Sequence, residues 1–219
     1  MLKNLIKNRC WIYTLVLPAY LISFFLIEHL ITEDYWVSYI FIDDYIPFFE
    51  WAVIPYILWY PFQFFVALYL LCRDAIGYKT YAISFGLGFA MALLVCLIFP
   101  NGQDMRPAVF VHDNIATWIV SSIYKADTNT NVLPSMHVIG SFSACLAIVK
   151  SKSVKSNWVW IGAIILSIVI CISTVLIKQH SILDVFAAIP FCIILYLIVY
   201  RDNSIVAKKL DKVQDHDHI

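Results

Sequence analysis

Residues 157–200 read NWVWIGAIILSIVICISTVLIKQHSILDVFAAIPFCIILYLIVY, two strongly apolar runs interrupted only by the polar residues at 178–181. Each run, 157–177 and 182–200, approaches the roughly 20 helical residues that cross the hydrocarbon core of a bilayer. Four similar runs precede them, at 11–27, 51–71, 81–100 and 134–149, of which the last is short. The sequence therefore predicts an all-α, polytopic membrane protein built as a bundle of six transmembrane helices.

The composition supports the same class of protein. Hydrophobic residues make up 62% of the chain and charged residues 14%, against roughly 45–50% and 25% in ordinary soluble domains. A soluble protein of this composition would expose much apolar surface to water, so we expect the lipid bilayer to be its solvent. The net charge of zero provides no basic field for binding nucleic acid.

Basic residues alternate between the segments that join the predicted spans. The segments 1–10, 72–80, 150–156 and 201–219 hold 12 of the 15 lysines and arginines. The positive-inside rule places these segments in the cytoplasm. We therefore expect a cytoplasmic N-terminal segment at 1–10, one membrane domain at 11–200 and a cytoplasmic tail at 201–219. The segments 28–50, 101–133 and 178–181 then lie on the extracytoplasmic side of the cell membrane.

Ionisable residues are concentrated at the predicted outer ends of the spans. His137 opens the fourth span, and His180 and Asp184 open the sixth. Ionisable groups at membrane depth are costly and are functional candidates for that reason. The alternative interpretation is a purely structural histidine–aspartate hydrogen bond that joins two helices.

The spacing of these residues is suited to phosphate chemistry. His180 and Asp184 are four residues apart and share a helix face, so the carboxylate can hold one imidazole nitrogen and leave the other as a base or nucleophile. Pro134 suits the first position of a helix, where the amides of Ser135 and Met136 would form an anion site. Arg106 adds a guanidinium fork that matches phosphate oxygens.

These residues resemble the motifs of the type-2 phosphatidic acid phosphatase superfamily, whose pattern is Lys-x6-Arg-Pro, Pro-Ser-Gly-His and Ser-Arg-x5-His-x3-Asp. The chain has Arg106-Pro107, then Pro134-Ser135-Met136-His137, then Ser173-Thr174-x5-His180-x3-Asp184. The resemblance covers roughly residues 50–200. It implies a six-span fold and a lipid phosphatase that needs no metal or cofactor.

The resemblance also implies a role for each matched residue. His180 would attack phosphorus and form a phosphohistidine, Asp184 would orient it, and His137 would protonate the leaving oxygen. Arg106, Ser135 and Met136 would hold the phosphate oxygens.

The chain departs from the family pattern at three positions. Phe99 stands where the family has lysine, Met136 replaces glycine, and Thr174 replaces arginine. Lys178 could restore one of the two missing cations at the phosphate, or could instead be an interfacial lysine that reaches toward water. With the Asp127–Asn129 run, these departures resemble the branch of inositol-phosphorylceramide and sphingomyelin synthases, which transfer a phosphorylated headgroup to an alcohol.

Two other classes of membrane protein remain as alternatives. A transporter would be favoured by internal repeats and midplane charges, and the sequence shows no repeat. An intramembrane protease would need a metal or serine site, and Ser135 lies only two residues from His137. No cluster of residues has the spacing of metal ligands, so we expect no metal site.

Overall fold

The computed structural model describes residues 10–30 and 34–201, which are mostly helical. A helical turn at Cys10–Tyr13 precedes seven helices, which are α1 (Val16–Leu30), α2 (Val53–Arg73), α3 (Ala75–Ile98), α4 (Ile115–Ala126), α5 (Met136–Lys150), α6 (Asn157–Leu176) and α7 (Ile182–Leu195). A π-helical turn, Tyr196–Tyr200, extends α7. Two-residue strands, β1 (Trp36–Val37) and β2 (Asn101–Gly102), pair in parallel. The segments 1–9, 31–33 and 202–219, including most of both predicted cytoplasmic termini, lie outside the described residues.

Four of these helices are long and apolar enough to cross a membrane, namely α2, α3, α6 and α7 with their short extensions. The prediction of a helical, membrane-spanning protein is thus confirmed in its coarse form. The helices at the predicted first and fourth spans, α1 and α5, are apolar but shorter. A helix of 15 residues such as α5 is about 22 Å long, which is less than the roughly 30 Å of a bilayer core.

The boundaries of the third span differ from the prediction. Helix α3 begins at Ala75 rather than at residue 81, because the side chain of Asp74 caps it by accepting a 2.8 Å hydrogen bond from the amide of Gly77. The polar residues Lys79 and Thr80, which broke the apolar run in the sequence, are therefore helical. A single residue, Asp74, separates α2 from α3.

The segment 101–133 contains a helix and a strand that the sequence analysis did not predict. Helix α4 was missed because its 12 residues are too short for a membrane span. Asn114 and Thr117 cap it reciprocally, each side chain bonding the other residue's amide at 3.0 Å. The two short strands were also missed, and they attach the segment after α1 to the segment after α3 through Trp36 and Asn101.

Helix α5 is the central helix of the bundle and packs against α2, α3, α6 and α7. Its small residues allow these neighbours to approach closely. A Cβ at Gly140 would lie 2.7 Å from the indole of Trp59, and a Cβ at Gly88 on α3 would lie 2.6 Å from the side chain of Ile139. Close packing through small residues is typical of helix interfaces in membranes. Because α5 is enclosed by other helices, its short length exposes little backbone to lipid.

We predict that Gly140→Ala destabilises the bundle, because Trp59 must move to admit the new methyl group. The expected cost is about 1–3 kcal/mol, measured by thermal unfolding in detergent. Gly162→Ala on α6 is the matched control, since no atom lies within 4 Å of its added Cβ, and we expect it to leave stability unchanged or slightly raised. Equal effects of the two substitutions would contradict this packing.

Candidate active site

The turn between α6 and α7 sets the position of His180. Its amide and that of Gln179 both bond the carbonyl of Thr174, at 3.1 and 3.0 Å, while Lys178 adopts a left-handed backbone with φ of 54°. The imidazole Nδ1 then lies 3.2 Å from Oδ2 of Asp184. As the i, i+4 spacing predicted, the carboxylate holds Nδ1, and Nε2 does not take part in that contact.

Asp184 is fully buried, and both of its carboxylate oxygens accept hydrogen bonds. Its Oδ2 also accepts a 2.9 Å hydrogen bond from the amide of Ser181, as part of the N-terminal cap of α7. Its Oδ1 accepts a hydrogen bond from the hydroxyl of Ser38. These bonds hold the carboxylate in one orientation toward His180.

Two residues of this site, Ser38 and Asp43, come from the segment after α1 and were not predicted. Asp43 accepts hydrogen bonds from the Ser181 hydroxyl at 2.6 Å and from the Ile182 amide at 2.8 Å. The sequence signal was the strongly acidic composition of 28–50, which showed that the segment was unusual. It could not show that one of its aspartates caps a helix about 140 residues later.

His137 lies in the first turn of α5, and its ring centroid is 5.7 Å from that of His180. The ring is held between Tyr56 at 4.5 Å and Trp59 at 4.8 Å. Its Nε2 is buried and has no hydrogen-bond partner among the described residues. The structure thus brings the two predicted histidines together and leaves one nitrogen of His137 available for a ligand.

The start of α5 differs in detail from the predicted anion site. Ser135, not Pro134, is the residue at the helix cap, and the Ser135 amide is occupied by the carbonyl of Asp184 at 3.1 Å. That amide is therefore not free to bind an anion, contrary to the prediction. The Ser135 hydroxyl is buried without a partner in the described chain, so the side chain is the group available to an oxyanion. Met136 begins the helix, and its sulfur accepts a hydrogen bond from Tyr20.

Arg106 is anchored at one edge of its guanidinium. Its Nη2 donates to the side chain of Gln179 and the carbonyl of Thr128, both at 2.6 Å, and the group lies 4.5 Å from the ring of Tyr124. Its Nε is buried and unpartnered within the described residues. Nη1 also donates, to the carbonyl of Tyr124 at 3.2 Å, so Nε is the guanidinium nitrogen that remains unpartnered in the described chain.

Lys178 has a different environment from the one predicted. Its ammonium donates to the carbonyls of Asp43 at 3.0 Å and Ile46 at 2.6 Å. Burial lowers its pKa, partly offset by Asp43 and Asp44. It borders a cavity of about 470 Å³ that is also lined by those two carboxylates and Asp104. This acidic setting is unfavourable for phosphate, and we leave Lys178 out of the proposed phosphate site.

The two positions at which the resembling family has a lysine and an arginine carry no charge in this chain. Phe99 is exposed and packs 5.5 Å from the ring of Trp36. Thr174 is fully buried, and its hydroxyl bonds the carbonyl of Cys171 at 2.8 Å. With Lys178 left out, Arg106 is therefore the principal cation beside the two histidines.

Asp127 is an additional carboxylate in the site, which the sequence marked only as part of the Asp127–Asn129 run. Its Oδ2 accepts from the amide of Gln179 at 3.1 Å, and Gln179 in turn holds Arg106. Its pKa is raised from 3.8 to about 6 by burial and by Glu28, against the opposing effects of Arg106 and His180. The site thus contains a carboxyl group whose pKa is about 6.

The arrangement brings together His180 held by Asp184, His137 with a nitrogen unpartnered in the described chain, and the likewise unpartnered donors of Ser135 and Arg106. Within residues 10–30 and 34–201, no three histidine, cysteine or carboxylate side chains are grouped as metal ligands.

Comparison of this chain with protein families, curated proteins and solved structures finds no match.

We predict that Asp127→Asn stabilises the folded protein at pH 7.5 and not at pH 4. The folded pKa lies above the unfolded one, so the folded state binds the proton more tightly. Stability from this group is therefore present at low pH and falls as pH rises from about 4 to about 6. Two pKa units correspond to about 2–3 kcal/mol. Asparagine still accepts from Gln179 and carries no charge at either pH.

Thermal unfolding in detergent at the two pH values measures this difference. Asp113→Asn, at an exposed position of the same segment, is the matched control for loss of one negative charge. An equal change of stability at pH 4 and pH 7.5 in Asp127→Asn would contradict the assigned titration.

Proposed function

We propose that this chain is an integral membrane enzyme that breaks phosphoester bonds of lipid phosphates, with His180 as the nucleophile. The observation that carries the proposal is the pairing of the two histidines. Asp184 holds Nδ1 of His180, and the His137 ring lies 5.7 Å away with its buried Nε2 unpartnered in the described chain. A purely structural histidine–aspartate pair would not require a second histidine with a free nitrogen.

In the first step, the lone pair of His180 Nε2 attacks phosphorus and the bond to the lipid oxygen breaks. That oxygen takes a proton from His137 Nε2 and leaves as the lipid alcohol. Asp184 stabilises the positive charge that develops on the His180 ring. In the second step, the oxygen of water attacks phosphorus while a proton of water passes to His137 Nε2. The bond between phosphorus and His180 Nε2 breaks, its electron pair returns to that nitrogen, and phosphate leaves.

The phosphate would lie between the unpartnered donors that flank the histidines. Ser135 Oγ and Arg106 Nε are both buried polar atoms without a partner in the described residues. Leaving such groups unpaired costs about 1–3 kcal/mol each, and a bound oxyanion removes this cost. The amide of Met136, at the positive end of α5, lacks an intrahelical partner and adds a third donor.

A lipid phosphotransferase that uses the same histidines is the second candidate. One observation favours it, namely that Gln179 links Arg106 to the carboxyl of Asp127 and not to a further cation. A phosphodiester carries one negative charge and a phosphomonoester nearly two, so a site with a single cation suits the diester. In that case an alcohol replaces water in the second step.

We further propose that α1 and α5 complete a six-span bundle with both termini in the cytoplasm. The supporting observations are the apolar composition of both helices and the strong charge bias of the joining segments. The histidines would then open to the extracytoplasmic side, at the level of lipid headgroups. The substrate would diffuse in laterally with its acyl chains still in the bilayer.

We predict that His180→Ala lowers turnover at least about 1,000-fold, because it removes the nucleophile. The assay supplies purified enzyme with a panel of lipid phosphates and measures both released phosphate and alcohol-linked product. Brief reaction with substrate that carries radioactive phosphorus should leave an acid-labile, alkali-stable adduct on the wild-type protein. The His180→Ala protein should carry no such adduct.

His112→Ala is the matched control for this variant. His112 lies in the segment before α4, where it pairs with Glu50 at 2.9 Å, and we expect its loss to leave turnover unchanged. A labelled adduct that persists in folded His180→Ala would overturn the nucleophile assignment. Appearance of an alcohol-linked product without free phosphate would favour the phosphotransferase.

We predict that Lys125→Cys reacts with an impermeant maleimide from outside intact cells and that Lys152→Cys reacts only after permeabilisation. Both positions are exposed, one at the histidine end of the bundle and the other between α5 and α6. The charge bias places them on opposite sides of the membrane. The reverse labelling pattern would place the chemistry in the cytoplasm while leaving the catalytic roles intact.

A further inference from the structure

An apolar strip on and before α4 has no function in the proposed catalytic site. It consists of Val109, Val111, Ile115 and Trp118, whose side chains are 80, 92, 66 and 69% exposed. Exposed apolar side chains that form a contiguous surface indicate a protein or membrane contact. The strip lies at the histidine end of the bundle, in the segment that follows Arg106.

The opposite face of α4 is fully used within the protein. Ala116 and Val120 are buried in a small apolar cluster with Val53 and Tyr56 of α2 and with Ile177. Tyr124, near the end of α4, donates from its hydroxyl to the carbonyl of Ile177. The helix is therefore fixed by one face, and the apolar strip points away from the bundle.

We propose that this strip inserts into the interfacial region of the bilayer on the histidine side, and that the bilayer rather than another protein covers it. Helix α4 packs against the start of α2, so the strip lies next to that end of a helix long and apolar enough to cross a membrane. At that point Trp51 and Ile54 are also exposed, at 44% and 52%. With one apolar face of α4 buried in the bundle, the second apolar face is free to enter the interfacial region of the bilayer.

The polar residues around the strip set its depth. His112 and Asp113 are exposed between the apolar positions, and Ser122 and Lys125 continue the exposed face of α4 beyond Trp118. Charged groups are excluded from the hydrocarbon core, whereas tryptophan is favoured at the headgroup boundary. The beginning of α4 therefore enters the headgroup region and its end returns to water.

This insertion determines the height of Arg106 relative to the lipid headgroups. Arg106 directly precedes the segment that carries the strip. Its guanidinium lies over the ring of Tyr124, which belongs to α4. On the basis of the proposed function, the inserted helix α4 thus holds the phosphate-binding Arg106 at the level of the lipid phosphates. This consequence rests on the proposed function, whereas the insertion itself does not.

Depth-dependent quenching tests the insertion. Single cysteines replace Val111, Trp118 or Ser122 in full-length protein whose native cysteines are changed to alanine, and each is labelled with an environment-sensitive fluorophore in phosphatidylcholine–phosphatidylglycerol vesicles. We expect nitroxides near the lipid headgroups to quench the labels at 111 and 118, with little quenching by aqueous iodide. The label at Ser122, on the same helix, should show the reverse pattern.

Two results would overturn the proposal. Equal access of iodide to all three labels would place the strip in water. Protection of 111 and 118 from both iodide and lipid nitroxides would show that a second copy of the protein covers it. Ile115→Cys replaces either strip variant that fails to insert into vesicles.

A kinetic measurement separates the consequence for Arg106 from the insertion. Trp118→Glu should raise KM for a bilayer-borne lipid phosphate about tenfold, equivalent to about 1.4 kcal/mol, and leave kcat and the kcat/KM for a short-chain, water-soluble analogue unchanged. An equal loss of kcat/KM on both substrates would contradict the role of α4 in setting the depth of Arg106. If the wild-type protein turned over neither substrate, the proposed function would fail while the quenching result still decided the insertion.

Discussion

The buried carboxylate of Asp184 is the interaction on which the rest of the site depends. Its two oxygens hold the His180 ring, the Ser181 amide and the Ser38 hydroxyl, and its own backbone carbonyl holds the amide of Ser135. One residue therefore connects α7, the start of α5 and the segment after α1. A buried carboxylate is stable only when such donors surround it. The loss of any one donor would therefore disturb the carboxylate and, through it, the orientation of the His180 ring.

Helix α5, which carries His137, is shorter than a bilayer core, and its short length is tolerated because neighbouring helices enclose it. Small residues let α2 and α3 pack closely around it, with Trp59 against Gly140 and Ile139 against Gly88. The same Trp59 also contacts the His137 ring. The packing that encloses α5 thus also positions His137, which lies in the first turn of that helix.

The strongest sequence patterns were interpreted correctly because they depend on local geometry. Apolar runs of membrane length predicted α2, α3, α6 and α7, and the four-residue spacing of His180 and Asp184 predicted their contact. Helix α4 was missed since 12 amphipathic residues in a polar segment carry no span-length signal. Lys178 was assigned to the phosphate because it is near His180 in sequence, yet a left-handed turn directs its ammonium to the carbonyls of Asp43 and Ile46.

By itself, the sequence determined that the chain is helical, apolar enough for a membrane, and equipped with histidines and an aspartate at helix starts. Hydrophobicity and i, i+4 spacing are properties of a segment, so no distant residue is needed to read them. Only the tertiary structure decided which polar atoms are free. Ser38 and Asp184 are 146 residues apart, and Arg106 and Gln179 are 73 apart. Whether a donor is occupied or remains open for a ligand depends on such distant partners, whose approach is set by the packing of the whole bundle.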